Sequence, residues 1–188
     1  MIRIPLYLEI AQWALLFGLG TLVLLLYRQL GRLLSSGGGP ESPGPAIGTQ
    51  AAPIRYSRIP GDTRGQLTPG DGQPALIAFV DPTCPSCEQL VANLSELQAG
   101  GELGGIRVLL LVSDPPGYLS ISAAFRATSL EIGRPLTAAE VGGYRVTGTP
   151  LLVAIDGAGE VQAVGVSSKQ ADVRAHAATI IQESEAAR

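Results

Sequence analysis

The pattern of apolar and polar positions divides the chain into an apolar segment, a polar linker and a longer mixed region. The run Ile10–Tyr27 contains no charged residue, and with residues 4–8 ahead of it the segment could cross a hydrocarbon core of about 30 Å as a helix. A cleaved signal peptide has a shorter apolar region of about 7–15 residues, and a buried core helix is the other alternative. Because Arg28 and Arg32 follow directly, we predict one transmembrane anchor over residues 4–27.

The linker, residues 28–45, becomes rich in Gly, Pro and Ser and shows no hydrophobic periodicity. Such a composition predicts a solvated, partly extended tether. We therefore place one folded domain at residues 46–188, separated from the apolar segment by this tether.

Short apolar runs predict the strands of the folded domain. Ala75–Val80 and Ile106–Val112 are typical of strands that are covered on both faces. Leu151–Ile155 and Val161–Val166 flank a turn and predict a hairpin. Residues 46–74 contain only short apolar pieces, which favour an edge strand or a further hairpin.

Helical spacing of apolar residues completes the predicted order of elements: strand, helix, strand, helix, then strand, strand, helix. A parallel crossover followed by an antiparallel hairpin indicates an α/β fold with a mixed sheet and helices on both faces. The predicted helices cover residues 88–99, 119–128 and 138–144 and a C-terminal segment around residues 173–181.

Charge and cysteine content exclude several classes of function. The net charge of −3 argues against a nucleic-acid partner, which would favour clustered Lys and Arg. The chain has only two cysteines, three positions apart, so they do not form a framework of structural disulfides. Two thiols and one histidine cannot complete a structural zinc site, which needs four ligands. Redox chemistry, or two inert core cysteines, remains.

The motif Cys84-Pro85-Ser86-Cys87 lies where a predicted strand gives way to a predicted helix. The unpaired N–H groups and the dipole of a helix N-terminus stabilise a thiolate there. Thr83 is the predicted N-cap, and Pro85 suits the first turn, where a missing N–H costs nothing. Because Cys87 follows one helical turn later, we predict Cys84 as the nucleophile and Cys87 as the resolving thiol.

A second motif, Thr149-Pro150, opens the strand of the predicted hairpin, although it could also be an ordinary loop end. Together with the CxxC, it resembles the thioredoxin superfamily. The resemblance implies that Pro150 is cis beside the cysteines, and that the backbone of Thr149 pairs with an incoming extended peptide. With the anchor and tether, the chain is most similar to membrane-tethered thiol–disulfide oxidoreductases of the TlpA type. Phe79–Cys87 also resembles the MauD proteins.

Two positions depart from the thioredoxin pattern. The motif is Cys-Pro-Ser-Cys rather than Cys-Gly-Pro-Cys, and Ala78 stands where thioredoxin has a buried acid that accepts a proton from the resolving thiol. Asp81 and Glu88 are expected to be solvated rather than to relay protons. The sequence therefore leaves open whether the pair acts as a reductase or an oxidase.

Three alternatives compete with thiol–disulfide exchange. A peroxidase would have a threonine three positions before the nucleophile, whereas Thr83 is adjacent to Cys84. A copper-binding assembly factor could use both thiolates and His176, although a lone histidine on a helix is more often a surface residue. A scaffold with an inert CxxC is the third. For the exchange reaction we expect neither a cofactor nor a metal.

The resemblance also bears on location and partners. Arginines after the anchor slightly favour a cytoplasmic domain under the positive-inside rule, but the margin is about one charge. Related proteins face the exterior of the cytoplasmic membrane, and this outweighs the charge count. We therefore expect a single-pass protein with an extracytoplasmic domain, protein thiols or disulfides as clients, and a transmembrane redox partner.

Overall fold

The computed structural model describes residues 13, 15–21, 43–61, 63–112, 125 and 128–186, with side chains to residue 181 in the last range. Residues 13 and 15–21 of the predicted anchor are helical. The remainder of the anchor, linker residues 28–42 and most of the predicted helix at 119–128 lie outside the described residues. Within the described part of the chain, no helix has the length and apolar character needed to span a membrane.

A mixed seven-stranded sheet organises the domain, in the order β2-β1-β5-β4-β3-β6-β7. β3 pairs in parallel with β4, and β4 with β5, while the other neighbours are antiparallel. The predicted α/β fold with a mixed sheet is confirmed. The strands are β1 (Ile54–Ile59), β2 (Arg64–Leu67), β3 (Ala75–Val80), β4 (Arg107–Val112), β5 (Glu131–Pro135), β6 (Leu151–Ile155) and β7 (Val161–Gly165).

Side chains of β3 contribute to two apolar clusters, one on each face of the sheet, and all six residues of the strand are buried. The first cluster contains the buried faces of α1 (Pro85–Ala99) and α3 (Gln170–Ala186). The second contains Tyr144, beyond the short helix α2 (Ala138–Gly142), whose ring packs against Phe79 at a centroid distance of 5.3 Å. The run of apolar residues in β3 reflects this burial on both sides.

β5 was not predicted, and the predicted order of elements is wrong at this point. Its sequence, Glu-Ile-Gly-Arg-Pro, has one apolar side chain and no alternating pattern. The strand exists because β1 and β4 supply hydrogen-bonding partners on its two sides. Gly133 is needed there, since a Cβ atom would collide with the ring of Tyr56.

An N-terminal arm, residues 43–53, packs against the domain before β1 begins. The N–H of Gly44 donates to the carbonyl of Arg145 at 3.2 Å, two residues before the predicted domain start. Further on, the backbone of Val161 in β7 exchanges hydrogen bonds with Gly48 and Thr49, at 2.8 and 2.9 Å. These bonds attach the arm to the edge of the sheet.

A polar network lies at the amino end of β4 and β5. The hydroxyl of Tyr56 donates to Glu131 at 2.6 Å, and Arg58 donates to the same carboxylate at 2.8 Å. Arg107 donates to the Tyr56 oxygen at 2.7 Å and to Glu131 at 3.3 Å. Burial works against the charge of Glu131, but these donors outweigh it, so the pKa of its carboxyl lies below the ordinary value.

Candidate active site

The turn after β3 places the two cysteines at the start of α1. The N–H of Cys84 donates to the carbonyl of Asp81 at 3.1 Å, which closes the turn. Pro85 then begins the helix, as predicted, because its fixed φ suits the first turn. The carbonyl of Cys84 accepts the N–H groups of Cys87 and Glu88, at 3.0 and 3.2 Å.

The predicted N-cap is wrong by one residue. Cys84 itself is the N-cap, with extended backbone angles (φ −93°, ψ 116°) and no side-chain hydrogen bond to the helix. The hydroxyl of Thr83 instead donates to Asp81 at 2.7 Å. Thr83 therefore stabilises the preceding turn rather than the N-terminus of the helix.

Burial and hydrogen bonding make the two thiols unlike. Burial works to raise the pKa of Cys84, but favourable interactions of its thiolate with the Cys87 thiol and with the nearby N–H groups of Cys87 and Ser86 outweigh it, so this pKa lies below its ordinary value. Burial raises the pKa of Cys87 to about 11, although the N–H of Asp81 donates to its sulfur at 3.4 Å. Cys84 is partly exposed and Cys87 is fully buried.

Sheet register brings the second motif to the cysteines. Phe79, at the end of β3, pairs with Leu151, so the residue before β6 lies beside the turn that carries Cys84. The Thr149–Pro150 bond is cis, as the resemblance implies. The Cys84 sulfur lies 3.9 Å from the carbonyl oxygen of Thr149. The structure thus brings Thr149 and Pro150 to the predicted nucleophile.

The other singled-out residues lie as follows. Ala78 is buried in the same apolar cluster as Cys87. Among the residues whose side chains are described, the only buried charged group is Asp156, in the β6–β7 turn. Glu88 is exposed. His176 is half-buried rather than on the surface, because its Nε2 packs closely against Gly165.

No metal-binding group is apparent within the described ranges. No cluster of three or more His, Cys, Asp and Glu side chains there is arranged to hold an ion. His176 therefore does not join Cys84 and Cys87 in a three-ligand site. The Nδ1 atom of His176 lies 2.7 Å from the carbonyl oxygen of Asp172 in its own helix.

The stabilisation of the turn before the cysteines by the Asp81 side chain was not predicted from the sequence. The prediction considered only whether its carboxylate relays protons, whereas the structure shows it accepting the N–H of Thr83 at 2.8 Å as well as the hydroxyl. The signal was present, because an Asp two residues before Thr, with proline between them, favours a side-chain-stabilised turn.

Comparisons with known proteins agree with this geometry. The family model described as a thioredoxin-like domain matches residues 66–176, which is more than half of the chain and includes both cysteines and the Thr149-Pro150 motif. A comparison with curated protein sequences gives no match.

Three solved structures show the same fold at low identity. The thioredoxin domain of a thiol-disulfide oxidoreductase from Bacteroides vulgatus is 16% identical, with a TM-score of 0.58, over 69% of this chain and 96% of that one. A protein described as thiol:disulfide interchange protein DsbE from Chlorobium tepidum is 19% identical (TM-score 0.60; 74% and 99%). A peroxiredoxin-like protein from Aquifex aeolicus is 18% identical (TM-score 0.59; 76% and 90%). Because all three identities lie below 20%, these likenesses describe the fold alone.

Proposed function

The chain belongs to the thioredoxin-like domain family, and from that premise we propose that it is a protein thiol–disulfide oxidoreductase acting through Cys84 and Cys87. The observation that supports this most is the contrast between the two thiols. One is partly exposed at a helix N-terminus with a lowered pKa, and the other is buried with a pKa of about 11. An attacking thiol must be accessible and ionised, and a resolving thiol must be close and protected.

The reaction follows from this arrangement in two exchanges. The Cys84 thiolate attacks one sulfur of a client disulfide, the client S–S bond breaks, and one client thiolate leaves. Cys87 then loses its proton and attacks the Cys84 sulfur, which releases the second client thiolate and forms the Cys84–Cys87 disulfide. Two electrons pass to the client. Run in reverse, the same steps oxidise a client dithiol.

Protein clients fit the surroundings of the nucleophile better than small thiols do. Thr149 is partly exposed beside the Cys84 sulfur, and Pro150 is buried behind it. An extended peptide that paired with the backbone of Thr149 would bring its own disulfide next to Cys84. This role for Thr149 and Pro150 is part of the proposal, as are the supporting positions of Pro85 and Ser86 in the motif.

Membrane attachment is a further part of the proposal, supported by the apolar run and the Gly/Pro/Ser-rich linker. We propose a single-pass protein in the cytoplasmic membrane, with the catalytic domain outside the cytoplasm. In that location the pair exchanges electrons with a transmembrane redox partner. Protease digestion of intact and permeabilised spheroplasts tests the topology, since an extracytoplasmic domain is cleaved in both.

The reduction potential tests the proposed activity. The full chain in detergent micelles is equilibrated in glutathione buffers, and the Cys84–Cys87 disulfide is measured by mass spectrometry. We expect a reversible two-electron transition that is absent from Cys84→Ala and Cys87→Ala. A potential near about −270 mV indicates a reductase, and one near about −120 mV an oxidant. If wild type shows no such transition, the oxidoreductase proposal is wrong.

A further inference from the structure

Asp81 is the residue through which β3 is joined to both cysteines. Its backbone N–H donates to the sulfur of Cys87 at 3.4 Å, and its carbonyl accepts the N–H of Cys84 at 3.1 Å. A movement of this one residue would therefore alter the position of the nucleophile and of the resolving thiol together.

The carboxylate of Asp81 fixes the turn between these contacts. One oxygen accepts both the N–H and the hydroxyl of Thr83, at 2.8 and 2.7 Å. Pro82 lies between the two residues and restricts the backbone further. This side-chain-stabilised turn delivers the chain to Cys84 in the extended conformation that a helix N-cap requires.

The same carboxylate places a negative charge in the turn that carries the nucleophile. A thiolate at Cys84 is favoured by backbone N–H groups and opposed by the charge of Asp81. Among the described residues, the titratable groups that act on Cys84 are the Cys87 thiol from α1 and the Asp81 carboxylate from the turn. Glu88 on α1 is exposed, and the loop before β6 presents the Thr149 carbonyl.

We infer that Asp81 is a positioning residue with two opposed roles: its carboxylate holds the turn that seats Cys84 on the helix, and it also brings a negative charge into that turn. The two hydrogen bonds from Thr83 moderate that charge. If the proposed function holds, Asp81 also makes the redox pair less oxidising, because a destabilised thiolate destabilises the reduced form.

Two substitutions separate charge from position. Asp81→Asn keeps an oxygen acceptor for Thr83 but removes the charge, so the pKa of Cys84 falls. Thr83→Val removes the hydroxyl donor and leaves the charge less moderated, so the pKa of Cys84 rises. We expect alkylation of Cys84 below its pKa to become about threefold faster in Asp81→Asn and about twofold slower in Thr83→Val.

Asp71→Asn is the matched control. Asp71 accepts the N–H of Gln73 at 3.0 Å in a similar turn, but at the opposite end of β3 from the cysteines. The same chemical change there removes one negative charge and keeps an acceptor. Its Cys84 alkylation profile should coincide with that of wild type.

The measurement is the pH profile of iodoacetamide alkylation at Cys84 in the reduced full chain, resolved from Cys87 by peptide mass spectrometry. Opposite shifts in the two variants support the inference, and shifts of the same sign, or none, overturn it. If Asp81→Asn does not fold, the Thr83→Val variant tests the inference alone. A Cys84 pKa that does not rise in Thr83→Val would then overturn the inference. Alkylation needs no redox activity, so failure of the proposed function would appear separately, as a missing glutathione transition in wild type.

Discussion

At the amino end of β4 and β5, four polar side chains hydrogen-bond to one another, whereas at the carboxyl end of β3 the contacts between the two thiols and the neighbouring backbone are long. Glu131 accepts from Tyr56 and Arg58 at 2.6 and 2.8 Å. The sulfurs of Cys84 and Cys87 have backbone contacts of 3.9 and 3.4 Å. Groups that satisfy one another stabilise a fold, while groups left with weak partners remain available for reaction.

The Cys84→Ser variant should have the largest effect on activity, because it removes the accessible nucleophile of the proposed reaction. We expect loss of disulfide exchange by at least about a hundredfold, with little change in the free energy of unfolding of the reduced protein. A fluorescent disulfide-linked peptide measures exchange. Cys87→Ser is the paired variant and should accumulate a mixed disulfide between Cys84 and the peptide. Exchange retained by Cys84→Ser would contradict the assignment.

Differential alkylation measures the difference in reactivity between the two thiols. The pKa of Cys84 lies below its ordinary value and that of Cys87 is raised to about 11, so at neutral pH a larger fraction of Cys84 than of Cys87 is thiolate. We expect iodoacetamide to label Cys84 at least about tenfold faster than Cys87 at pH 7, after allowing for the lower intrinsic nucleophilicity of the more acidic thiol. Cys87 should become reactive only as the pH approaches about 11. Equal rates would mean that burial does not distinguish them.

Glu131→Ala, at the other end of the sheet, should lower stability without changing the reactivity of the thiols. It leaves Arg107, Arg58 and the Tyr56 hydroxyl without their shared acceptor. We expect the free energy of unfolding in urea to fall by about 2–3 kcal/mol, with the alkylation profile of Cys84 unchanged. A variant that lost exchange activity while keeping its stability would show that the two ends are coupled.

Tyr56→Phe should be the mildest of these changes. Burial first, and then the bond to Glu131, raise the pKa of Tyr56 from its ordinary value of 10.0 to about 12. Because the folded-state pKa is raised, its contribution to stability is fully present below pH 10 and is lost as the pH rises to about 12. The phenylalanine variant should lose about 1 kcal/mol at neutral pH and lack this part of the alkaline decline. Urea unfolding at several pH values between 8 and 12 compares the two proteins.

The reactive end of the sheet was the more predictable of the two. The apolar run of β3, the CxxC spacing and Pro85 depend on neighbours in sequence, so the sequence alone locates the proposed nucleophile at the start of a helix. The prediction of Thr83 as the N-cap is wrong because the helix begins one residue later, and the Thr83 hydroxyl donates to Asp81 in the preceding turn. The cis bond of Pro150 and its position beside Cys84 were predicted only through a family resemblance. That position depends on the register between β3 and β6, which are distant in sequence.

The polar network around Glu131 could not be predicted from the sequence pattern, because it joins residues that are distant along the chain. Its members come from β1, β4 and β5, and each of those residues alone is an ordinary surface type. β5 has no apolar periodicity, because its stability comes from two flanking strands rather than from its own side chains. Gly133 could have been noticed only after Tyr56 was known to lie over it.

If the proposed membrane anchor holds, the N-terminal arm has a mechanical consequence. Its first anchoring bond joins Gly44 to Arg145, and the next ones join it to Val161. Under tension these bonds would open one after another, from the tether inward, without any loss of strand pairing in β1. Release of the eleven residues 43–53 would lengthen the tether by at most about 36–40 Å, at roughly 3.3–3.6 Å for each residue. Tension on the tether would thus increase the distance from the bilayer at which the domain can contact its proposed client proteins.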